Sequence, residues 1–375
     1  MNSPEPLVAI DFFAGCGGLT AGLKRAGFDV RAAVEINEDA SDTYEANHPE
    51  VALFKDIQDV RPDQLIEACG GQKISLIAGC APCQGFCSLT VKRGRKDPRN
   101  KLLLHMADLI AQLKPEAVMM ENVPGLAKRG KAIFTQFVEK LETLGYKVNF
   151  AHRKAWQIAQ MADYGIPQSR RRLVLIAGRG YSIPFPQRTH AKQADRKQRL
   201  KRWRTLRDVI GREPAPVTLS KAVKNGGPLK HRWHVVADLQ PQVAARLAAA
   251  VPGQSWQGMP EALRPKCHQG EYIGFTNVYG RMAWDQTPVT ITAGCLRPSK
   301  GRFGHPEKKR TTISVREAAL IQTFPKRYKF PNDNMEIVCD MIGNAVPPVF
   351  GGIVGDQLRT AILARRKTLA RAKSK

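Results

Sequence analysis

Hydrophobic and polar positions alternate along the first 180 residues in blocks that are typical of strands and helices. Apolar runs of four to seven residues are separated by stretches with helical periodicity, among them 19–27 and 101–113. This alternation predicts an α/β fold with an open, mainly parallel sheet and helices on both faces. Ligands of such sheets bind beyond the carboxyl ends of the strands. The predicted strands are 7–13, 30–36, 74–78, 117–120, 146–150 and 172–177.

The pattern changes near residue 181. Pro and Gly become frequent through residue 265, and the stretch 191–204 holds seven Lys or Arg residues against one acid. We therefore expect residues 181–279 to form a smaller, loop-rich domain beside a first domain of residues 1–180. Helical periodicity returns at 314–324, where Ser314 and Glu317 have capping-box spacing, and again from about residue 349.

The composition predicts a folded protein with an anionic partner. The 375 residues are 43% hydrophobic and 25% charged, which excludes a mostly disordered chain. The 59 Lys and Arg residues against 33 Asp and Glu residues give a net charge of +26. This excess favours nucleic acid over an anionic membrane surface, because no basic amphipathic anchor is evident. No apolar run reaches the roughly 18 residues of a membrane-spanning helix.

The eight cysteines raise the question of disulfides or a metal site. The first residues lack the pattern of a secretory signal, so we expect a cytoplasmic protein with reduced thiols. Cys80, Cys83 and Cys87 resemble half of a metal site, but neither a second cysteine pair nor a histidine cluster completes it. We expect no metal.

A glycine-rich turn follows the first predicted strand, in the segment Asp11-Phe-Phe-Ala-Gly-Cys-Gly-Gly18. Glu35 stands 20 residues after Gly15, at the end of the next strand, a spacing that suits a carboxylate bonding ribose hydroxyls. Thr20 occupies the position of the third glycine of the dinucleotide fingerprint. The segment therefore favours an adenosine-type ligand and leaves open whether it carries a pyrophosphate, the alternative being a tight turn without a ligand.

Two further residues stand at the ends of neighbouring predicted strands. Cys83 follows the run 74–78 and Glu121 follows the run 117–120, so both are expected at the same rim of the sheet. A thiolate and a proton-sharing carboxyl in that position suit attack on an electron-poor ring whose nitrogen must be protonated. The alternative for Cys83 is a buried small hydrophobic residue.

Together, these motifs resemble those of the cytosine-C5 DNA methyltransferases, over nearly the whole chain and in the family's order. The resemblance implies a class I methyltransferase fold, which is Rossmann-like, and S-adenosyl-L-methionine as the cofactor. The sequence departs from the residues that are usual in the family at Cys80-Ala81 and at Cys87. Both departures lie beside the nucleophile, Cys83, and neither removes a catalytic group. The segments that carry the resemblance are 11–18, 35, 56–57, 79–84, 121–123, 168–172, 316–325 and 343–348.

The resemblance also implies the site residues. Cys83 would add to C6 of a flipped-out cytosine while Glu121 binds N3, and the basic loop 88–101 would close over the base. Arg170 and Arg172 would hold the base and its phosphate. The catalytic residues implied are Cys83, Glu121, Arg170 and Arg172. The cofactor-binding residues implied are Phe13, Ala14, Gly15, Cys16, Gly17, Gly18, Glu35, Ile36, Asp56, Ile57, Pro82, Leu102, Asn344, Ala345 and Val346.

The same resemblance implies the partners and the roles of the domains. The substrate would be a specific sequence in duplex DNA, for DNA modification or restriction-modification, and a cognate restriction endonuclease acting separately stays open. Residues 1–180 would catalyse and bind the cofactor, and 181–279 would be the variable target-recognition domain. Residues 280–375 would hold the end of the target-recognition region and a helix packed back on the catalytic domain. They also hold the segments that resemble the family's ninth and tenth motifs, 316–325 and 343–348. We expect a monomer that binds no membrane.

Three other interpretations compete with DNA methylation. An RNA cytosine methyltransferase shares the motifs, but its Cys-Phe-Thr signature corresponds here to Gly274-Phe-Thr276, which lacks the cysteine. A non-catalytic DNA-binding relative would need none of Cys83, Glu121 and Arg172. A nicotinamide-dependent oxidoreductase is disfavoured by Thr20 and by the later motifs. Methylation of DNA is therefore the preferred function.

Overall fold

A seven-stranded mixed sheet organises the first part of the chain. The computed structural model describes residues 6–82, 101–150, 153–269 and 276–374. In these residues the larger strands are β1 (Val8–Phe12), β2 (Asp29–Val34), β3 (Ala52–Phe54), β4 (Ile74–Gly79), β5 (Ala117–Asn122), β8 (Trp156–Gln160) and β9 (Arg171–Gly178). The two-residue strands are β6 (Asn149–Phe150), β7 (Arg153–Lys154), β10 (His190–Ala191), β11 (Lys201–Arg202), β12 (Val217–Thr218) and β13 (Val235–Val236).

The strand order of the large sheet is β3-β2-β1-β4-β5-β9-β8. The strands from β3 to β5 pair in parallel, whereas β9 runs antiparallel to β5, and β8 antiparallel to β9. The prediction of a mainly parallel α/β sheet is confirmed. Strands β3 and β8 were not predicted, because β3 has three residues and β8 is neither a continuous apolar run nor a regular alternation.

The predicted strand at 146–150 is wrong for most of its length. Only Asn149–Phe150 is a strand, and it pairs with Arg153–Lys154 outside the large sheet. Tyr146, the first apolar residue of the run, is buried, and its hydroxyl donates to Pro115 O at 2.8 Å. Its hydrophobicity therefore marks a core contact and not a strand of the sheet.

Helices cover both faces of the sheet. β1, β4 and β5 are buried along their whole length, as expected for central strands covered on both sides. Core side chains such as Ile10, Phe12 and Ile77 each contribute about 1.5–3 kcal/mol by burial. The helices of this part are α1 (Gly18–Arg25), α2 (Glu38–Asn47), α3 (Pro62–Ala68), α4 (Leu102–Leu113), α5 (Lys131–Thr143) and α11 (Pro348–Lys373).

The C-terminal helix α11 packs on α1 with almost no space between the backbones. A Cβ atom on Gly22 would lie 2.5 Å from Pro348 O and 2.7 Å from Gly352 N. Any larger residue at position 22 would push the helices apart. This close approach fixes α1, and with it the glycine turn that precedes α1.

The chain divides into two compact units. Unit 1 consists of Met1–Gln160, Arg171–Arg188 and Val346–Lys375, and unit 2 of Met161–Arg170 and Thr189–Ala345. Unit 2 is loop-rich, with two small sheets and short helices. Its capping box at Ser314 and Glu317 is confirmed. The helices of unit 2 are α6 (Arg207–Ile210), α7 (Leu219–Lys224), α8 (Pro241–Ala249), α9 (Val315–Ile321) and α10 (Met335–Asn344).

A buried arginine helps to hold the loops of unit 2. The Arg281 side chain is buried, and its Nε donates to Leu247 O at 2.7 Å. Its Nη1 donates to His305 O and Arg310 O at 2.5 and 2.8 Å. Backbone carbonyls that no sheet ladder pairs are thus satisfied by one guanidinium, which explains how a segment with little secondary structure is ordered.

One stretch, 335–373, is long and apolar enough to cross a membrane by length and composition. In the structure it consists of two helices, α10 and α11, and 67% of its most apolar window is buried inside the protein. That burial is typical of the core helices of a soluble protein.

Candidate active site

The chain turns sharply between β1 and α1. Phe13, Gly15 and Gly17 all have a positive φ, of 57°, 55° and 87°. Ala14 N donates to Val34 O at 3.0 Å, which ties the turn to the end of β2. A Cβ atom on Gly15 would meet no atom within 4 Å, so this side of the turn is open. The left-handed φ at Phe13, a non-glycine residue, is the kind of outlier that clusters at ligand sites.

Glu35 is held directly against this turn. Gly15 N donates to Glu35 Oε2 at 2.8 Å, and Asn37 N donates to Oε1 at 2.8 Å. Burial raises the pKa of Glu35, and the two backbone bonds lower it in part. Two bonds leave further lone pairs on the carboxylate, so Glu35 retains capacity to accept from hydroxyl groups of a ligand.

The other predicted cofactor residues of unit 1 line the carboxyl ends of neighbouring strands. Ile36, after β2, is 66% exposed, which is unusual for a large aliphatic side chain. After β3, Asp56 Oδ1 accepts from Gln58 N at 2.9 Å, and Ile57 O accepts from His105 Nε2 at 2.8 Å. The half-buried residues are Pro82 and Leu102, and the buried ones are Ala14, Cys16, Gly17, Gly18 and Val346.

Under the glycine turn lies a buried polar network that the sequence analysis missed. Thr20 Oγ1 donates to Asp11 Oδ2 at 2.7 Å and lies 2.9 Å from Tyr44 Oη. Because Thr20 has one hydroxyl proton, Tyr44 is the donor in the second bond. Asp11 Oδ1 has no hydrogen-bond partner in the described part of the chain, and burial raises the pKa of Asp11 to about 7. Thr20 therefore supplies hydrogen bonds where the dinucleotide fingerprint has a glycine.

The ends of β4 and β5 are joined at the rim of the sheet. Asn122 Nδ2 donates to Ala81 O at 3.0 Å, and Asn122 Oδ1 accepts from Val123 N at 2.9 Å. Cys80 N donates to Phe12 O at 3.2 Å, which continues the β1–β4 pairing by one residue. The backbone through Ala81 is thereby fixed beside the residue that follows Glu121. Cys83, Cys87 and the predicted closing loop, except Lys101, lie outside the described residues.

Glu121 and Arg172 form a buried ion pair. Glu121 lies opposite Val174 in the antiparallel β5–β9 pair, so Arg172 is its diagonal neighbour on the same face. Arg172 Nε is 3.1 Å from Glu121 Oε1. The contact has ion-pair distance but not hydrogen-bond alignment, since Glu121 Oε1 has no hydrogen-bond partner within the described ranges. The carboxylate is anchored by charge and keeps its capacity to bond a substrate.

Arg170 lies in a different environment from the one that the sequence suggested. Its side chain is buried in unit 2, where Nη1 donates to Ile291 O and Gly343 O at 2.9 and 3.2 Å. Its Nη2 donates to Ala345 O at 3.2 Å. These bonds favour a positioning role for Arg170 over the predicted contact with base or phosphate. Asn344, between two of the bonded carbonyls, is itself exposed.

Two glutamines extend this arrangement, and the sequence analysis gave neither a role. Gln168 and Gln322 are fully buried and bond each other through their side-chain amides. Gln168 Oε1 accepts from Ile291 N at 3.2 Å, and Gln322 Nε2 donates to Ala345 O at 3.0 Å. Residues from three of the motif segments thus meet in one hydrogen-bonded network of unit 2. The signal in the sequence was a glutamine in each of two motif segments, 168–172 and 316–325.

The strand order, the glycine turn and the paired acid at the sheet rim define an α/β protein of the methyltransferase class. A crystal structure of a DNA modification methyltransferase encoded within an E. coli prophage superposes with a TM-score of 0.69 at 21% identity, and covers 94% of this chain and 99% of its own. At that identity the likeness shows the fold alone.

The chain belongs to the C-5 cytosine-specific DNA methylases, whose family model matches residues 7–359. It is 36% identical to the type II methylase M.HgiDII of Herpetosiphon aurantiacus, over 93% of this chain and 94% of that protein. It is 31% identical to the type II methyltransferase M1.HphI of Haemophilus parahaemolyticus, over 93% and 86%. The protein is a DNA (cytosine-5-)-methyltransferase, as the sequence motifs predicted.

Proposed function

We propose that this methyltransferase acts on a flipped-out cytosine through addition of the Cys83 thiolate to C6, with Glu121 at N3. The observation that supports this most is the Glu121–Arg172 pair at the sheet rim, beside the Asn122–Ala81 bond. Arg172 keeps the Glu121 carboxyl on the face where the base must enter. Asn122 holds the backbone that leads toward Cys83.

The chemistry requires these groups because cytosine C5 is a poor nucleophile. Addition of sulfur at C6 moves electron density to C5, and a proton shared between the Glu121 carboxyl and N3 stabilises the negative charge that develops on the ring. After C5 has gained its methyl group, the C5 proton leaves to a base and the thiolate is expelled. The reaction needs a base outside the helix, since neither C6 nor N3 is accessible in stacked, paired DNA.

S-adenosyl-L-methionine is the methyl donor that this family uses. The residues of the glycine turn fit it, because the open side of Gly15 gives a ligand access to the backbone, and Glu35 can accept from ribose hydroxyls. Ile36 offers an exposed apolar surface for the adenine, with Asp56 and Ile57 at the next strand end. When bound there, the sulfonium supplies the methyl group.

The relatives named above are type II enzymes, and this chain is likewise the modification enzyme of a type II restriction-modification system. In our proposal it acts as a cytoplasmic monomer, and a separate endonuclease would recognise the same site. Unit 2 would read the DNA sequence, with Arg or Lys favouring guanine edges in the major groove. The charge of +26 suits a polyanionic substrate.

Bisulfite sequencing tests the proposal and identifies the recognition site. Unmethylated plasmid is incubated with the protein and S-adenosylmethionine, and Cys83→Ala serves as the matched control. We expect protected cytosines at one short sequence with the unchanged protein and none with the variant. Unmodified tRNA is assayed in parallel, because methylation of tRNA and not DNA would favour the RNA interpretation. Binding of DNA without methylation of either would favour the non-catalytic one.

A further inference from the structure

Unit 2 contains a pocket built from three separate segments of the chain. The cavity has a volume of about 350 Å³. Charged and histidine side chains from residues 213–217, 231–234 and 316–326 line it: Glu213, His231, Arg232, His234, Arg316 and Lys326. The proposed catalytic site does not account for this pocket, although Arg316 is the first residue of the motif segment 316–325.

The charges in the pocket do not balance. Lys326 Nζ lies 2.7 Å from Glu213 Oε1, so these two neutralise each other. With Arg232 and Arg316 also in the wall, three cationic side chains face one carboxylate, so the pocket keeps a net positive charge. The pKa of Arg316 is lowered by burial and then by the neighbouring charge of Arg232, whereas the Glu213 carboxylate raises it in part. A bound anion would relieve this repulsion.

The backbone is strained where it forms the pocket wall. Arg232 and Trp233 are consecutive non-glycine residues with a positive φ, of 48° and 61°. The turn lets Arg232 O accept from Arg316 Nε at 2.9 Å, and Trp233 O accept from Arg316 N at 2.8 Å. Trp233 Nε1 donates to Phe330 O at 3.0 Å and anchors the turn. Strain of this kind is typical of ligand sites.

The two histidines of the pocket differ in their bonding. His234 Nε2 lies 2.8 Å from Pro214 O and must donate to it, while His234 Nδ1 accepts from Ser314 Oγ at 3.0 Å. His231 Nε2 is buried and has no hydrogen-bond partner in the parts of the chain that the structure describes. A buried ring nitrogen without a partner can donate to a ligand or accept from one, depending on the tautomer of the ring.

From these observations we infer that the pocket binds a phosphate group, held by Arg232 and Arg316. The planar guanidinium fork of Arg232 suits phosphate oxygens. Arg316 adds its positive charge, because its Nε and Nη1 already donate to Arg232 O and Lys326 O, and the Glu213 carboxylate is neutralised by Lys326. The phosphate belongs either to the DNA backbone or to a free phosphate-bearing molecule. In the first case the inference rests on the proposed function, since it adds an anchoring point for the substrate.

Titration with inorganic phosphate tests the site. Phosphorus NMR or calorimetry measures the Kd of the full-length protein at constant ionic strength set with chloride. Arg232→Asn removes the charge while Asn tolerates the left-handed backbone, and it should weaken binding about tenfold. Arg199→Asn is the matched control, because Arg199 is also exposed and has a φ of 56°. It should leave the Kd for phosphate within about twofold.

Glu213→Gln should change the affinity for phosphate in the opposite direction. This test remains valid if the Arg232 variant does not fold. It removes the only acidic side chain of the pocket wall, so phosphate binding should tighten several-fold. Failure of the unchanged protein to bind phosphate more tightly than chloride would overturn the inference. So would equal losses in the two arginine variants, or no gain in Glu213→Gln.

Competition with DNA then distinguishes the sources of the phosphate. If phosphate displaces a duplex from the unchanged protein more than chloride does, and Arg232→Asn loses this effect, the site binds the DNA backbone. If phosphate binds without displacing DNA, the site binds a separate phosphate-bearing molecule. These assays need no methyl transfer, so their failure is distinguishable from failure of the Cys83 mechanism.

Discussion

Arg172 Nε lies 3.1 Å from Glu121 Oε1, across the antiparallel pair of β5 and β9. The antiparallel strand β9 is what makes this contact possible, because it brings a residue 51 positions away in sequence onto the same face as Glu121. Both side chains are largely buried, which strengthens the attraction relative to a surface pair. The pair fixes the carboxyl and leaves it able to bond the base.

Glu121→Gln should lower kcat about a hundredfold or more. The amide cannot share a proton with the ring nitrogen, so the charge that develops on the ring loses its stabilisation. Initial rates of methyl transfer to duplex DNA measure the effect, with Glu139→Gln, on the exposed side of α5, as the control. A loss of less than about threefold would mean that N3 is protonated by another group.

Asn122→Ala should lower kcat about tenfold without changing the Kd for S-adenosylmethionine. The variant loses the bond to Ala81 O, so the backbone before Cys83 is no longer held at the rim. The glycine turn does not depend on this bond. Steady-state rates and cofactor titration on the same preparation separate the two effects. A weaker cofactor affinity with an unchanged kcat would contradict this role.

Arg170→Met should destabilise the protein by roughly 3–5 kcal/mol, because three buried carbonyl groups lose a charged donor. Arg171→Met, at the exposed neighbouring position, should change the free energy of unfolding by less than about 0.5 kcal/mol. Urea denaturation measures both. Equal effects of the two substitutions would refute the positioning role of Arg170.

Asp11→Asn should change how stability depends on pH. The pKa of Asp11 rises from 3.8 to about 7 on folding, so its contribution is full below about pH 4 and is lost as pH rises through about 7. The variant carries no titrating group at this position and escapes that loss. It should therefore gain stability relative to the unchanged protein as pH rises from about 5 to about 8 in urea denaturation. A difference that is independent of pH would show that Asp11 does not titrate in this range.

Local patterns in the sequence were sufficient to predict four of the five parallel strands, the glycine turn, the acid after β2 and the acid near the end of β5. Each of these features is formed by a strand and the residues next to it in sequence, so a short stretch of sequence is enough to recognise it. The partners of Arg170 lie 121 to 175 residues away, so its burial could not be read from the motif that contains it. Thr20 was treated as a missing glycine, because its bonds to Asp11 and Tyr44 exist only in the folded chain. The assignment of functions to the domains stays a prediction.

The formation of a covalent bond between Cys83 and a cytosine is tested most directly with 5-fluorocytosine. Fluorine at C5 cannot leave as a proton does, so the enzyme should remain attached to a duplex that carries the analogue in its recognition site. We predict a protein–DNA adduct that survives denaturation, maps to Cys83 by mass spectrometry and does not form with Cys83→Ala. An enzyme that methylates the normal duplex but yields no adduct, or an adduct at another residue, would contradict the account.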